Sequence, residues 1–200
     1  MLKNSLKEQS LKGNNEMFTF AQLKDAGASA TSVSRAVKRG ELFRIAHGVY
    51  QSSETVDYMD DEMFSAQLRY RQMVYSHDTA LYLHGLNDRD PLKYSVTVPT
   101  GYNTKKLVSE GFKVFSLKKE LQEQDVEEIE TMYGNAVRVY NLERTICDCL
   151  RSRNKLQSEI VISGLKGYVR RSDRNLTLLM STAEKLNVAT LLKTYLEVLL

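Results

Sequence analysis

The chain has 200 residues, 26% of them charged, and its 28 Lys plus Arg exceed its 25 Asp plus Glu to leave a net charge of +3. That length holds one large domain or two small ones, and the charge is too mild to identify a nucleic-acid binder from totals alone. Cys147 and Cys149 are the only cysteines, too few for a disulfide framework or a four-ligand zinc site, and no apolar run approaches the roughly 18 residues that span a bilayer.

At the N-terminus, MLKNSLKEQSLKGNN lacks the apolar core of a secretory leader, so the expectation is a soluble cytoplasmic protein. Leu2, Leu6 and Leu11 among Lys and Gln predict a short amphipathic helix over 2–12, ended by Gly13-Asn14-Asn15. Thr19 then reads as an N-cap, followed by Phe20, Leu23 and Ala26 at helical spacing until Gly27. A third helix starts between Ser29 and Thr31 and ends at Gly40. LFRIAHGVYQ alternates around His47-Gly48, predicting two short strands joined by a tight turn. Helix, helix, turn, helix and hairpin within one short segment is the order of a winged helix-turn-helix.

The polar, acidic SSETVDYMDDEM follows, and FSAQLRYRQMVY resumes a helical pattern. The predicted division is a DNA-binding domain with its connecting helix at 1–73 and a second domain at 74–200. In the latter, YSVTV (94–98), FKVFS (112–116) and AVRVY (136–140) read as strands. The charged KKELQEQDVEEIETMYGN reads as irregular or edge structure. Asn141 is placed to cap a helix through LERTICDCLRS, and 156–200 read as helical throughout. The expected class is α+β, a winged helix-turn-helix followed by a mixed α/β domain ending in helices.

Advancing about 100° per residue, the third helix puts Val33, Ala36 and Val37 on one side, while Thr31, Ser32, Arg35, Lys38 and Arg39 share the opposite arc. Cations and hydroxyls on one face suit phosphates and base edges in a major groove. Thr31, Ser32 and Arg35, toward the helix start, are candidates for base readout. Lys38 and Arg39 are candidates for backbone contact, with Arg44 and His47 on the wing.

The segments FAQLKDAGASATSVSRAVKRGELFRIAHGVYQ (20–51), SHDTALYLHGLNDRDPLKYSVTVPTGYN (76–103) and VYNLERTICDCLR (139–151) together resemble the AbiEi family, antitoxins and transcriptional regulators of bacterial abortive-infection toxin–antitoxin pairs. The resemblance implies an N-terminal winged helix-turn-helix that represses its own operon by binding promoter inverted repeats. It implies a C-terminal domain that counters a nucleotidyltransferase-like toxin in the type IV manner, without a stable complex. It adds support to Arg35, Lys38, Arg39 and Arg44 as DNA contacts. The competing class is an interaction module that neutralises its partner by direct binding.

Other constellations point to structure. His77 and His84 bracket a predicted helix that Ser76 caps and Gly85 ends, without the further ligands that a metal needs. Cys147 and Cys149 lie in an apolar helix pattern with no histidine near in sequence. Asp88 and Asp90 flank a turn before Pro91, and no later Glu-x-Lys or Asp-x-Lys completes a nuclease motif. A phosphate-binding Gly-x-x-x-x-Gly-Lys loop is also missing, so neither enzyme activity nor a cofactor is expected. Between Arg151 and Arg174 lie seven cations, Arg151, Arg153, Lys155, Lys166, Arg170, Arg171 and Arg174, against Glu159 and Asp173. This second basic surface is open to extension of a DNA footprint, RNA, an acidic partner or simple solvation.

Overall fold

Thr19 both ends the first strand and starts the first helix. In the computed structural model, which describes residues 17–53 and 61–199, β1 (Met17–Thr19) runs straight into α1 (Phe20–Asp25). The Thr19 side chain and Gln22 close a reciprocal capping box. The helix expected over 2–12 and most of the acidic segment after Ser53 lie outside the described residues.

Gly27 adopts φ +89°, a conformation open to glycine, and so lets the Ala28 N–H reach back to the Leu23 carbonyl at 2.8 Å. That turn aims α2 (Ala30–Lys38), whose N-cap is Ser29. Then come β2 (Leu42–Ala46) and β3 (Val49–Ser52), the hairpin expected around His47-Gly48. The sheet order is β1-β3-β2, all antiparallel, with Phe18 opposite Tyr50 and Arg44 opposite Tyr50 on the other side. The strand β1 is too short to show an alternating pattern, which is why sequence reading saw only the cap. A core of Phe18, Leu23, Ala28, Val33, Ala36 and Leu42 lies beneath the helices. Full burial of an aliphatic side chain such as Leu23 contributes about 1.5–3 kcal/mol.

The helical pattern expected in FSAQLRYRQMVY holds only as far as α3 (Glu62–Arg69), and the end of that stretch is instead β4 (Val74–Tyr75). The α3 N-cap, Asp61, is buried. It accepts from the Phe64 N–H at 3.0 Å, from the Thr131 hydroxyl and from the Asn135 amide at 2.8 Å. By density of contacts the chain forms two units, residues 1–71 with 128–137, and residues 72–127 with 138–200.

In chain order the remaining elements are α4 (His77–Leu83), β5 (Ser95–Pro99), α5 (Lys105–Ser109), β6 (Lys113–Leu117), α6 (Lys119–Gln122), β7 (Val126–Glu130), β8 (Ala136–Tyr140), α7 (Leu142–Arg151), a 3₁₀ turn (Arg153–Lys155), α8 (Ser158–Arg170), α9 (Leu176–Lys185) and α10 (Ala189–Leu199). The protein is thus α+β and ends in helices, with non-helical breaks around 171–175 and 186–188. The charged segment after Leu117 forms α6 and the sheet's edge strand β7. Strand order in the five-stranded sheet is β6-β5-β4-β8-β7, so the two-residue β4 is central, antiparallel to β5 and parallel to β8.

Asn141 caps α7 as expected, accepting from the Arg144 N–H at 2.9 Å. One face of α7 (Ile146, Cys147, Cys149, Leu150) joins Leu81, Leu165, Leu179 and Leu192 in the second core. Gly164 lets α8 close on α4, since a Cβ there would sit 2.8 Å from Leu81 Cδ1. Buried Glu143 takes the Tyr168 hydroxyl at 2.9 Å and the Asn175 N–H at 3.1 Å, fixing the turn between α8 and α9.

Candidate nucleic-acid interface

The burial of α2 follows its spacing. Val33 and Ala36 are buried, Val37 is half-buried, and Thr31, Ser34, Arg35, Lys38 and Arg39 are exposed. Ser34 lies about 40° from Lys38 around the helix, and so belongs to the outward face that sequence reasoning drew without it.

Ser32 has a different employment. It is half-buried, and its Oγ accepts from the Ser29 N–H and donates to the Ser29 carbonyl, both at 2.8 Å, while Ser29 Oγ accepts from the Ser32 N–H at 3.1 Å. The hydroxyl expected to face a groove is spent on starting the helix. A Ser-x-x-Ser spacing carries that signal, because a side chain at the third helical position can reach back to the cap.

Arg39 is bound by Glu41 across the helix end, with Nε to Oε1 at 2.9 Å and Nη2 to Oε2 at 3.0 Å. This fork offsets its charge before any phosphate approaches. Arg35 and Lys38, by contrast, have no carboxylate partner among the described residues.

The hairpin is tied at its tip to the start of α1. The Phe20 N–H at the start of α1 donates to the Gly48 carbonyl at 2.8 Å, and Gly48 holds φ +76° in the turn. A register shift between Arg44 and Ala46 bends β2. Arg44 is exposed and donates from Nη2 to His47 Nδ1 at 3.1 Å. The two wing residues singled out by sequence therefore form one unit, in which a guanidinium orients an imidazole.

Within the second basic run several side chains are already engaged. Arg151 pairs with buried Asp148 at 2.8 Å, and Arg171 pairs with Asp173 at 2.7 Å while donating to the His84 carbonyl at 3.2 Å. Arg153 donates to the Leu150 carbonyl and Arg174 to the Arg171 carbonyl. Lys166, Arg170 and Arg171 line an open groove of about 630 Å³ between α8 and the Gly85 loop, together with Asp88 and Glu159. Asp88 is thus an exposed groove residue, and Asp90 is exposed on the same loop.

Both flagged histidines are committed to hydrogen bonds. His77 begins α4 at φ +54°, with Nδ1 2.8 Å from Ser76 Oγ and Nε2 3.0 Å from Ser152 Oγ. Ser76 occupies the N-cap position, but its hydroxyl does not cap the helix. It binds His77 and accepts from Thr97 at 2.9 Å instead. His84 Nε2 donates to the Tyr140 carbonyl at 2.7 Å. Cys147 and Cys149 are buried, and burial pushes the Cys147 thiol up to about 12 and the Cys149 thiol well above its ordinary range. Neither can supply a thiolate nucleophile in the folded chain.

Burial, reinforced by neighbouring cations, holds His77 well below the ordinary 6.5, and burial also lowers His84. For a base depressed in the fold, the unfolded chain takes up the proton first as pH falls. This contribution to stability is intact above about 6.5 and is lost below it. Urea unfolding monitored from about pH 7 to about pH 5.5 should show stability falling by up to about 1.4 kcal/mol per pH unit for each histidine still neutral when folded. His77→Gln should flatten that slope by one proton. A slope unchanged by the substitution would contradict a neutral, buried His77.

Comparison with known proteins adds two findings. A family model described as "Transcriptional regulator, AbiEi antitoxin" matches residues 10–53, the segment that carries α1, α2 and the wing and one of those on which the sequence resembles that family. The description is of transcriptional regulators that are antitoxins. The fold is similar to that in the crystal structure of the RV2827C protein from Mycobacterium tuberculosis, with a TM-score of 0.57 at 12% identity over 92% of this chain and 69% of that one. No curated protein sequence matches the chain. Among the described residues no helix is long and apolar enough to cross a membrane.

Proposed function

We propose that this protein is a DNA-binding repressor of its own toxin–antitoxin operon, reading promoter inverted repeats in double-stranded DNA through α2 and the β2–β3 wing. The observation that carries this reading is the pair of cations, Arg35 and Lys38, without a carboxylate partner among the described residues and on the outward face of a helix whose other face is locked into a core. It stands in the segment that matches the family of regulators. Thr31 and Arg35 approach base edges, Lys38 and Arg39 neutralise phosphates, and Arg44 with His47 reaches the flanking backbone. Ser32 supports the start of the helix, and Ser34 widens the contact face. The C-terminal unit counters a nucleotidyltransferase-like toxin in the type IV manner, acting on the toxin's effect in the cytoplasm during phage infection. The protein performs no catalysis and needs no cofactor.

Two measurements test this. Gel shifts with DNA upstream of the reading frame should show a specific complex, and disrupting one half of the inverted repeat should weaken it. Toxin and antitoxin expressed together should separate on gel filtration. A stoichiometric complex surviving the column would favour direct neutralisation. Repression and antitoxicity are carried by different parts of the chain, so a folded Arg35→Ala, Lys38→Ala variant is expected to lose operator binding and still rescue cells from the toxin. A folded variant that failed to rescue would refute that division.

A further inference from the structure

Away from the DNA-reading face, the second unit gathers positive charge where β6 meets the end of α7. Lys113, on edge strand β6, reaches across to the 3₁₀ turn, and its Nζ donates to the Lys155 carbonyl at 2.6 Å. The Lys113 and Lys155 ammonium groups lie 5.8 and 6.0 Å from the centroid of one ring, Phe115. His77 stacks on that ring at 3.6 Å. Neither lysine has a carboxylate partner among the described residues. Arg151 gives Nη2 to Asp148, but its Nε is buried with no partner.

Beside Arg151 in the chain is Ser152, half-exposed, with its hydroxyl 3.0 Å from His77 Nε2. A line of hydrogen-bonding groups, Thr97, Ser76 and His77, stands behind it. Ser152 directly follows Arg151 at the end of α7 and precedes the 3₁₀ turn that ends at Lys155, so its hydroxyl can give a proton to an anion or accept one. His77 is held in this line by a left-handed backbone, a conformation that non-glycine residues rarely adopt. Strain, unpaired like charges and a spare buried donor all oppose folding, and an anion in their midst relieves the last two.

A carboxylate presents two oxygens and one charge to this set of four donors. A phosphate monoester presents three oxygens and up to two charges, the better match to hydroxyl, ammonium and guanidinium together. We propose that Lys113, Arg151, Ser152 and Lys155 form a binding site for a terminal phosphate, carried either by a free nucleotide or by the 5′ end of a nucleic-acid strand. The site is independent of operator reading, and its failure would leave that function untouched.

The full chain is titrated by calorimetry, at constant ionic strength, with inorganic phosphate, a nucleoside 5′-monophosphate, and short single strands with and without a 5′-phosphate. Saturable binding of phosphate is expected, and Lys113→Gln with Lys155→Gln should weaken it by about tenfold or more. Phosphate should also raise the melting temperature of the wild type and not of that variant. Lys155→Gln alone, at an exposed position, gives the same reading in smaller measure if the pair perturbs folding. Tightest binding of the mononucleotide identifies a free nucleotide, and tightest binding of the 5′-phosphorylated strand identifies a strand end. The proposal is overturned by lack of saturable phosphate binding or by unchanged affinity in a folded lysine variant.

Discussion

Alanine at Arg35, Lys38 and Arg39 together is expected to abolish specific binding to the upstream inverted repeat, and the three residues should not contribute equally. Arg35 lies nearest the start of α2 among the cations, where a side chain reaches base edges, so its removal should cost about 1–3 kcal/mol and relax sequence preference at one position. Lys38 is a point charge without a carboxylate partner among the described residues. Its removal should weaken all sequences alike and make the dependence of log affinity on log salt shallower by about 0.9. Arg39 starts from a bidentate pair with Glu41, so a phosphate must displace a carboxylate before gaining its charge. Arg39→Ala should therefore cost less than either of the others. Glu41→Gln should strengthen binding, because it removes a negative charge from the rim and releases the guanidinium. Gel shifts across a salt series distinguish these outcomes. If the triple variant bound the repeat as the wild type does, α2 would not be the reading surface.

Much of this surface is legible in the sequence because its determinants are local. Capping residues, a 3.6-residue period and a glycine at the wing tip lie within a few positions of what they control, so α1, α2 and the hairpin follow directly. Ser32 was misread because period alone assigns it to the outer face, whereas the chemistry of the first helical turn claims its hydroxyl. The Arg39–Glu41 pair crosses a helix end, where the angular period no longer applies. The second basic run shows what a count of charges leaves out. Two of its charges are taken by acids close in sequence, Asp148 for Arg151 at i,i+3 and Asp173 for Arg171 two residues on, a pairing that a count of net charge does not weigh. Strand β4 illustrates the limit of pattern reading, since two residues contain no period and it is the neighbours β5 and β8 that make Val74–Tyr75 a central strand.

Asp148→Asn is expected to destabilise the second unit by about 3–5 kcal/mol, although the change preserves shape and part of the hydrogen bonding. Asp148 and Arg144 are 0% and 1% exposed, so water compensates neither charge. One carboxylate oxygen takes Arg144 Nε at 2.9 Å and the other takes Arg151 Nη2 at 2.8 Å. Tyr140 covers the Arg144 guanidinium at 4.4 Å, and Asp125, at 3.6 Å, is the remaining acid beside it. Neutralising Asp148 leaves that guanidinium buried with half its compensation. The larger part of the cost is thus the stranded cation rather than the lost attraction. A double variant that also replaces Arg144 with Met should recover much of the loss, because a buried pair exchanged for apolar volume is close to neutral. Arg151 sits at the edge of the cluster with 29% of its side chain exposed, so Arg151→Met should cost less than Arg144→Met. Urea unfolding of the four variants, followed by circular dichroism, gives the coupling directly as a double-mutant cycle. Additive losses for Arg144→Met and Asp148→Asn would mean that the two charges do not compensate each other. A coupling of several kcal/mol would show that the two buried charges of α7 compensate each other, leaving Asp125 and the Tyr140 ring as what Arg144 meets off its own helix.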